Sequence, residues 1–440
     1  MSGWGAPLER SSMNNLRAWL RDTAGKLLRT GFFSVFFSNV LCKVLTFIGG
    51  MVIVRLLSKS DYGEYTYVMN CYGMLVLLND LGCCGAAVQF CSENHADAKR
   101  FHGFFIYGLT RGMAFSGLTA LLLLVSPWFY PFKEAEAARL AQSLCLMPFL
   151  STASAFLLEN LRLHLKYTLY GAVNLFQTVT HYLVILPMTH WIGVRGAVFS
   201  NYVITLLVLL FTLALSRGKL DLSRESGALT VQDRRDFLRL AFASQLNNGV
   251  AQALVMLDVF FIGIFILDNE VISSYKIAST IPSALAFIPR AVVTYVGPHF
   301  ARNNRDLPWV RSHYAKLTLA SAGVSLLITL GGIAVSPWMI PLVFGRQYED
   351  AVPCFIVLMI GYFFYATFQC PTQNIIYTQR KVRINIIVTF LSGAANCVLD
   401  PLLIFYFGSI GAACATTAVH IIASILCFGY MCFYLRRTPA

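Results

Sequence analysis

A chain of 440 residues that is 57% hydrophobic and only 12% charged, with a mean hydropathy of +0.63, reads as an integral membrane protein. Soluble domains carry about a quarter charged residues. The formal charge of +13 falls mostly in short loops and no nucleic-acid-binding motif accompanies it, so it speaks to membrane orientation and not to DNA or RNA. The twelve cysteines show no metal spacing. Cys42, Cys71, Cys145, Cys370, Cys397, Cys414 and Cys427 lie inside apolar runs and Cys83-Cys84 is adjacent, so they read as small hydrophobes of helix contacts.

The first 32 residues form a basic segment in which Leu16, Trp19, Leu20, Leu27 and Leu28 share a helical face beside Arg17, Arg21 and Lys26. It is either an interfacial amphipathic helix or a disordered basic tail. About twelve apolar spans follow, each near the ~20 residues a bilayer requires. They run Phe33–Leu57, Tyr65–Phe90, Phe101–Val125, Leu140–Leu161, Leu169–Trp191 and Ala197–Leu215, then Phe237–Leu267, Val271–His299, Ala315–Val335, Ala351–Ile375, Ile384–Phe405 and Gly411–Tyr434. A polar linker, 216–236, separates an N-lobe (33–215) from a C-lobe (237–440), and no loop holds a folded extramembrane domain.

The halves repeat. Val125-Ser126-Pro127-Trp128 recurs as Val335-Ser336-Pro337-Trp338, an offset of 210 residues. The same offset aligns Leu57 with Leu267, Tyr65 with Tyr275, Leu75 with Leu285 and Phe90 with Phe300. A period of about half the chain signals internal duplication. Loop cations alternate: Lys99-Arg100, Arg162, Lys166, Arg234-Arg235, Arg302, Arg305, Arg380 and Lys381 crowd one face. The other holds only Lys59, Lys133, Arg139, Arg195 and Arg346. The positive-inside rule therefore predicts cytoplasmic termini. The expectation is an all-α integral membrane protein with about 12 transmembrane helices in two six-helix parallel-repeat bundles.

Ionisable residues inside spans cost roughly 2.5–3.5 kcal/mol each on insertion scales, so they need a partner or a watery cavity. Lys43, Arg111 and Arg290 are mid-span cations that together suit an anionic headgroup. Arg55 and Lys276, nearer span ends, either join that cavity or snorkel to the interface. Asp80, Asp258 and Glu159 are candidate ion-coupling carboxylates. Asp80 is the repeat mate of Arg290, and the two are expected to face each other across the cleft. Internal pairs such as Lys43 with Asp80, or Arg111 with Glu159, that merely fix helix contacts are the alternative. Asp400, just before Pro401, reads as a local turn feature.

The first loop, Arg55-Leu56-Leu57-Ser58-Lys59-Ser60-Asp61-Tyr62-Gly63, resembles the first periplasmic turn of Wzx-type polysaccharide flippases, with Asp61-Tyr62-Gly63 as the acidic-aromatic-glycine triplet. Gly193-Val194-Arg195-Gly196-Ala197, recurring as Gly408-Ser409-Ile410-Gly411-Ala412, is a second family-like element. Ser58-Lys59 replaces the Gly-Pro common in that first turn. The resemblance, to members of the multidrug/oligosaccharidyl-lipid/polysaccharide (MOP) exporter superfamily, implies a MATE-like, V-shaped exporter working by alternating access in the bacterial cytoplasmic membrane. It implies an undecaprenyl-diphosphate-linked oligosaccharide as substrate and no cofactor beyond possible H+ or Na+ coupling. A functional monomer in contact with membrane lipids, a polysaccharide polymerase and chain-length proteins is expected. A drug or metabolite exporter of the same superfamily is the alternative. A membrane glycosyltransferase or polymerase is the other class, disfavoured because Glu134, Glu136, Glu349 and Asp350 lie in short loops with no DxD-type site.

Overall fold

A computed structural model describes residues 32–164, 167–216, 227 and 229–437. The basic N-terminal segment and most of the 216–236 linker therefore lie outside the described residues. Helices are the expected solution for such a sequence, because only a helix satisfies every backbone hydrogen bond within one segment in lipid. Nine described helices are long and apolar enough to span a bilayer by length and composition. One of these, Val382–Arg436, turns back on itself at Gly408 (φ 62, ψ −139) and so supplies two spans. Phe32–Leu56 and Val231–Phe265 complete the twelve.

In chain order the first bundle is α1 (Phe32–Leu56), α2 (Lys59–Glu93), α3 (Ala98–Trp128), α4 (Ala135–Leu163), α5 (Tyr167–Ile192) and α6 (Val194–Ser216). The second is α7 (Val231–Phe265), α8 (Asn269–Arg302), α9 (Leu307–Phe344), α10 (Arg346–Thr378), α11 (382–407) and α12 (409–437). Helix α7 starts six residues earlier than its apolar run. Thr230 and Asp233 form a capping box that satisfies the first backbone amides, so the polar turn 231–236 is helical too.

The duplication is visible at atomic scale. Gly193 and Gly408 occupy the left-handed region (φ 65 and 62) in the α5–α6 and α11–α12 turns. Three residues on, a Cβ at Gly196 would lie 1.9 Å from the Met188 carbonyl, and one at Gly411 would lie 2.0 Å from the Leu403 carbonyl. Both hairpins thus close against their own preceding helix in the same way. Ser116 and Thr152 join α3 to α4 through hydroxyls 2.7 Å apart, and Ser325 and Thr367 join α9 to α10 at 2.6 Å.

The bundles meet at the sparsely charged face. The first half of α2 packs on the first half of α8, where Gly63 brings the backbone so close to the Asn269 carbonyl that a Cβ would sit 1.8 Å from it. Asn70 donates to the Met256 carbonyl (3.2 Å) and accepts from the Tyr130 hydroxyl (3.0 Å). Lys59 pairs with Asp350 across the junction at 2.7 Å. Toward the basic face, α7 stays on the first bundle through Phe237, which stacks among Phe90, Phe104 and Tyr107. The late half of α8 instead rests on α10 and leaves Phe287, Val292 and Tyr295 exposed. The two bundles thus form a V that is joined at one face and opens along α8 toward the other.

The outer surface suits lipid. Val44, Ile48 and Val52 make one exposed apolar stripe on α1, and Leu319, Leu326, Leu327 and Leu330 stand exposed on α9. Water would not tolerate so extensive an apolar surface on a monomer. The repeat mates Trp128 and Trp338, exposed at the ends of their spans, sit where tryptophans anchor a helix to the headgroup layer.

Candidate functional site: unpaired cations and a buried carboxylate pair

Lys43 on α1, Arg111 on α3 and Arg290 on α8 are all exposed, and among the described residues none forms an ion pair. Arg111 lies over the Tyr107 ring at 5.4 Å, and Arg234 of α7 shares that ring at 5.8 Å. Such contacts hold a guanidinium against an aromatic face without neutralising it. Arg290 donates its Nε to the Tyr365 hydroxyl at 3.1 Å. The pairings of Lys43 with Asp80 and Arg111 with Glu159 do not form in this state: Glu159 forms an ion pair with Arg162, one turn along, at 2.6 Å.

Arg55 has a different setting. Its guanidinium donates to the Val343 carbonyl (2.9 Å) and to that of Leu342, the last turn of α9. A cation there satisfies orphan carbonyls and meets the negative end of the helix dipole. It therefore bridges the bundles at their junction. Lys276 is exposed on α8 beside the buried Tyr275, whose hydroxyl donates to Asp258.

The carboxylates divide sharply. Asp80 sits where α2 breaks, with φ 48, and its side chain accepts from the backbone amides of Gly82 (3.1 Å) and Cys84 (2.9 Å). It caps the restarted helix, while Arg290 is engaged with Tyr365, so the two repeat mates are not paired here. Asp258 on α7 is buried and accepts from the Tyr275 hydroxyl of α8 and from Thr416 Oγ1 of α12 at 2.8 Å. Asp400 and Asn396 of α11 are its neighbours on the remaining side. Four helices of the second bundle thus converge on one point.

Asp400 corrects the sequence reading. It is no turn residue: α11 runs on through Pro401 and Asp400 is completely buried. Neither of its carboxylate oxygens, nor Oδ1 of Asn396, has a hydrogen-bond partner of standard geometry among the described residues. The sequence held one signal for this, since Asn396 and Asp400 are one helical turn apart and so share a face. Two adjacent carboxylates in a low-dielectric site cannot both stay ionised without compensation. The chemically stable states share a proton or hold a cation among hard oxygen donors, and the orphaned oxygens of Asp400 and Asn396 fit either.

The fold defines a multi-pass, all-α membrane protein. Over residues 52–353 the chain matches the family described as polysaccharide biosynthesis protein, and it belongs to that family. No curated protein matches it. It is similar in structure to an inward-facing multidrug resistance MATE family transporter of the MOP superfamily, with a TM-score of 0.73 at 14% identity over 90% of this chain and 96% of that one. It is similar to the lipid II flippase MurJ in an inward closed conformation, with a TM-score of 0.71 at 15% identity, covering 92% and 88%. An outward-facing MATE family transporter gives 0.57 at 13% identity, covering 91% and 95%. At these identities the likeness is one of fold.

Proposed function

We propose that this protein translocates a polyprenyl-diphosphate-linked oligosaccharide across the bacterial cytoplasmic membrane by alternating access, as a flippase for surface-polysaccharide assembly. The observation that carries the reading is the set of three intramembrane cations, Lys43, Arg111 and Arg290, exposed and without an acidic partner among the described residues of a polysaccharide biosynthesis protein. In this reading the three line the cleft, where cations placed at such cost would meet an anionic substrate, since guanidinium forks match phosphate oxygens. Sugars would occupy the cleft while the polyprenyl tail stays in lipid.

In this reading the lobes 33–215 and 237–440 rock about their junction, with the linker 216–236 and both termini in the cytoplasm. The V then opens to the cytoplasm in the present state. The Asp258–Asp400 pair is the preferred coupling site, ahead of Asp80 and Glu159, whose oxygens are committed to backbone amides and to Arg162. A proton or a monovalent cation would bind there and no other cofactor is invoked. The runner-up, a MATE-like exporter of organic cations, calls for a carboxylate facing the cleft, whereas Asp258 and Asp400 are buried within one bundle.

The test is binding of undecaprenyl diphosphate by the purified full chain in nanodiscs. Removing Lys43, Arg111 and Arg290 together should abolish binding, and an unaltered affinity would sink the anion-binding reading. External labelling of cysteines placed at Arg302 or Lys381 would overturn the orientation.

A further inference from the structure

Helix α10 is irregular at one place. Residues Tyr365–Gln369 form a π turn, and Pro371 follows after Cys370. Pro371 has no amide hydrogen, and its ring would strike the Thr367 carbonyl in a regular helix. One extra residue in the turn relieves this and rotates the preceding side chains. Tyr365 consequently reaches α8, where its hydroxyl accepts from Arg290 Nε at 3.1 Å. On its other side the Tyr365 ring lies 5.3 Å from the His420 ring of α12, and His420 Nδ1 is 2.9 Å from Oε1 of Gln369, at the far end of the same π turn.

The first bundle has no copy of this device. The matched hydroxyls align Thr152 with Thr367, a register that places Leu150, Ser154 and Thr205 opposite Tyr365, Gln369 and His420, while the offset of 210 residues set by the Ser-Pro-Trp repeat places Asp80 opposite Arg290. Since the duplicated scaffold folds without it, the fold does not require it.

We infer that Tyr365 is a positioning residue for Arg290, with His420 and Gln369 as its buttress. Tyr365 occupies Nε and so fixes the guanidinium plane, while the two terminal nitrogens, which hold no hydrogen bond or ion pair among the described residues, face outward as a donor pair for two oxygens. A flexible arginine loses side-chain entropy when it binds an anion. One held in advance loses less, and presents a two-donor edge suited to a phosphoryl group. This rests on the anion-binding reading of the cleft and deepens it, because it assigns the discriminating geometry to a tyrosine of α10.

The experiment is a double-mutant cycle on the full chain in nanodiscs, titrated with undecaprenyl diphosphate bearing no sugar. Arg290→Ala should weaken binding by about tenfold or more, and Tyr365→Phe by about tenfold, as for one lost hydrogen bond to a charged group. The double variant should bind no more weakly than Arg290→Ala alone, which a merely structural tyrosine would not produce. Tyr365→Phe keeps the ring against His420, so the bundle remains folded. His420→Ala, which removes the buttress, should weaken the parent and leave Arg290→Ala unchanged. Affinity unaltered in Tyr365→Phe while Arg290→Ala weakens, or losses that simply multiply, would overturn the positioning role alone. Arg290→Ala binding as tightly as the parent would overturn both this role and the anion-binding reading.

Discussion

Asp258 and Asp400 lie side by side within the second bundle. A buried carboxylate that accepts from Tyr275 and Thr416 is well compensated as an anion, but its neighbour Asp400 is not. Asp258→Asn and Asp400→Asn each remove one charge and nearly preserve shape. Each should leave folded yield and diphosphate-lipid affinity within about twofold, yet lower transport by about a hundredfold or more, since a group that binds an ion only in one state acts on the cycle. Flipping assays on the reconstituted variants decide it, and full transport by Asp400→Asn would remove the pair from the mechanism. Asp258 was legible in the sequence because a lone carboxylate inside an apolar run needs an explanation. Asp400 was not, because Pro401 mimics a helix end, and Thr416 and Tyr275 were not, because hydroxyls cost little inside a membrane helix. Tyr365 was hidden for another reason: only the π turn before Pro371 points it at Arg290.

Two features act at the scale of a whole element. The α11–α12 hairpin turns on Gly408 in a backbone region that is nearly glycine-only, and closes on Gly411 against the Leu403 carbonyl. Gly408→Ala is expected to cost about 1–3 kcal/mol through backbone strain, and Gly411→Ala about as much through overpacking. A fall of several degrees in melting temperature for each, with Gly196→Ala behaving like Gly411→Ala in the other bundle, would check this. An unchanged melting temperature for Gly411→Ala would mean that α11 and α12 sit farther apart than described. The spans themselves were readable from hydropathy, and the repeat from Ser-Pro-Trp. The breaks were not: α2 restarts at Asp80 and α10 widens at Tyr365 because of local capping and proline geometry, which leave an apolar run looking continuous.

Across the whole molecule, the junction at the sparsely charged face must open if the lobes rock. Lys59–Asp350 and the Arg55 contacts with the end of α9 lie directly across it. The ion pair, with Lys59 half-buried and Asp350 exposed, contributes on the order of 1 kcal/mol, a magnitude suited to a latch that has to release. Lys59→Glu should shift the molecule toward the state open at that face, and adding Asp350→Lys should restore the balance; spin-label distances across the junction report both. Identical distance distributions in all three chains would mean the pair does not bias the states.

Carriage of a lipid-linked anionic saccharide through the cleft can be measured by reconstituting the full chain in proteoliposomes. Undecaprenyl-diphosphate-linked oligosaccharide is supplied on one leaflet, and its arrival on the other is followed with a sugar-specific reagent. A flippase of this kind gives transfer well above protein-free vesicles, lost in Arg290→Ala and in Asp258→Asn. Transfer at the protein-free rate by the folded parent chain, under either a proton or a sodium gradient and in both orientations, would contradict the proposed function.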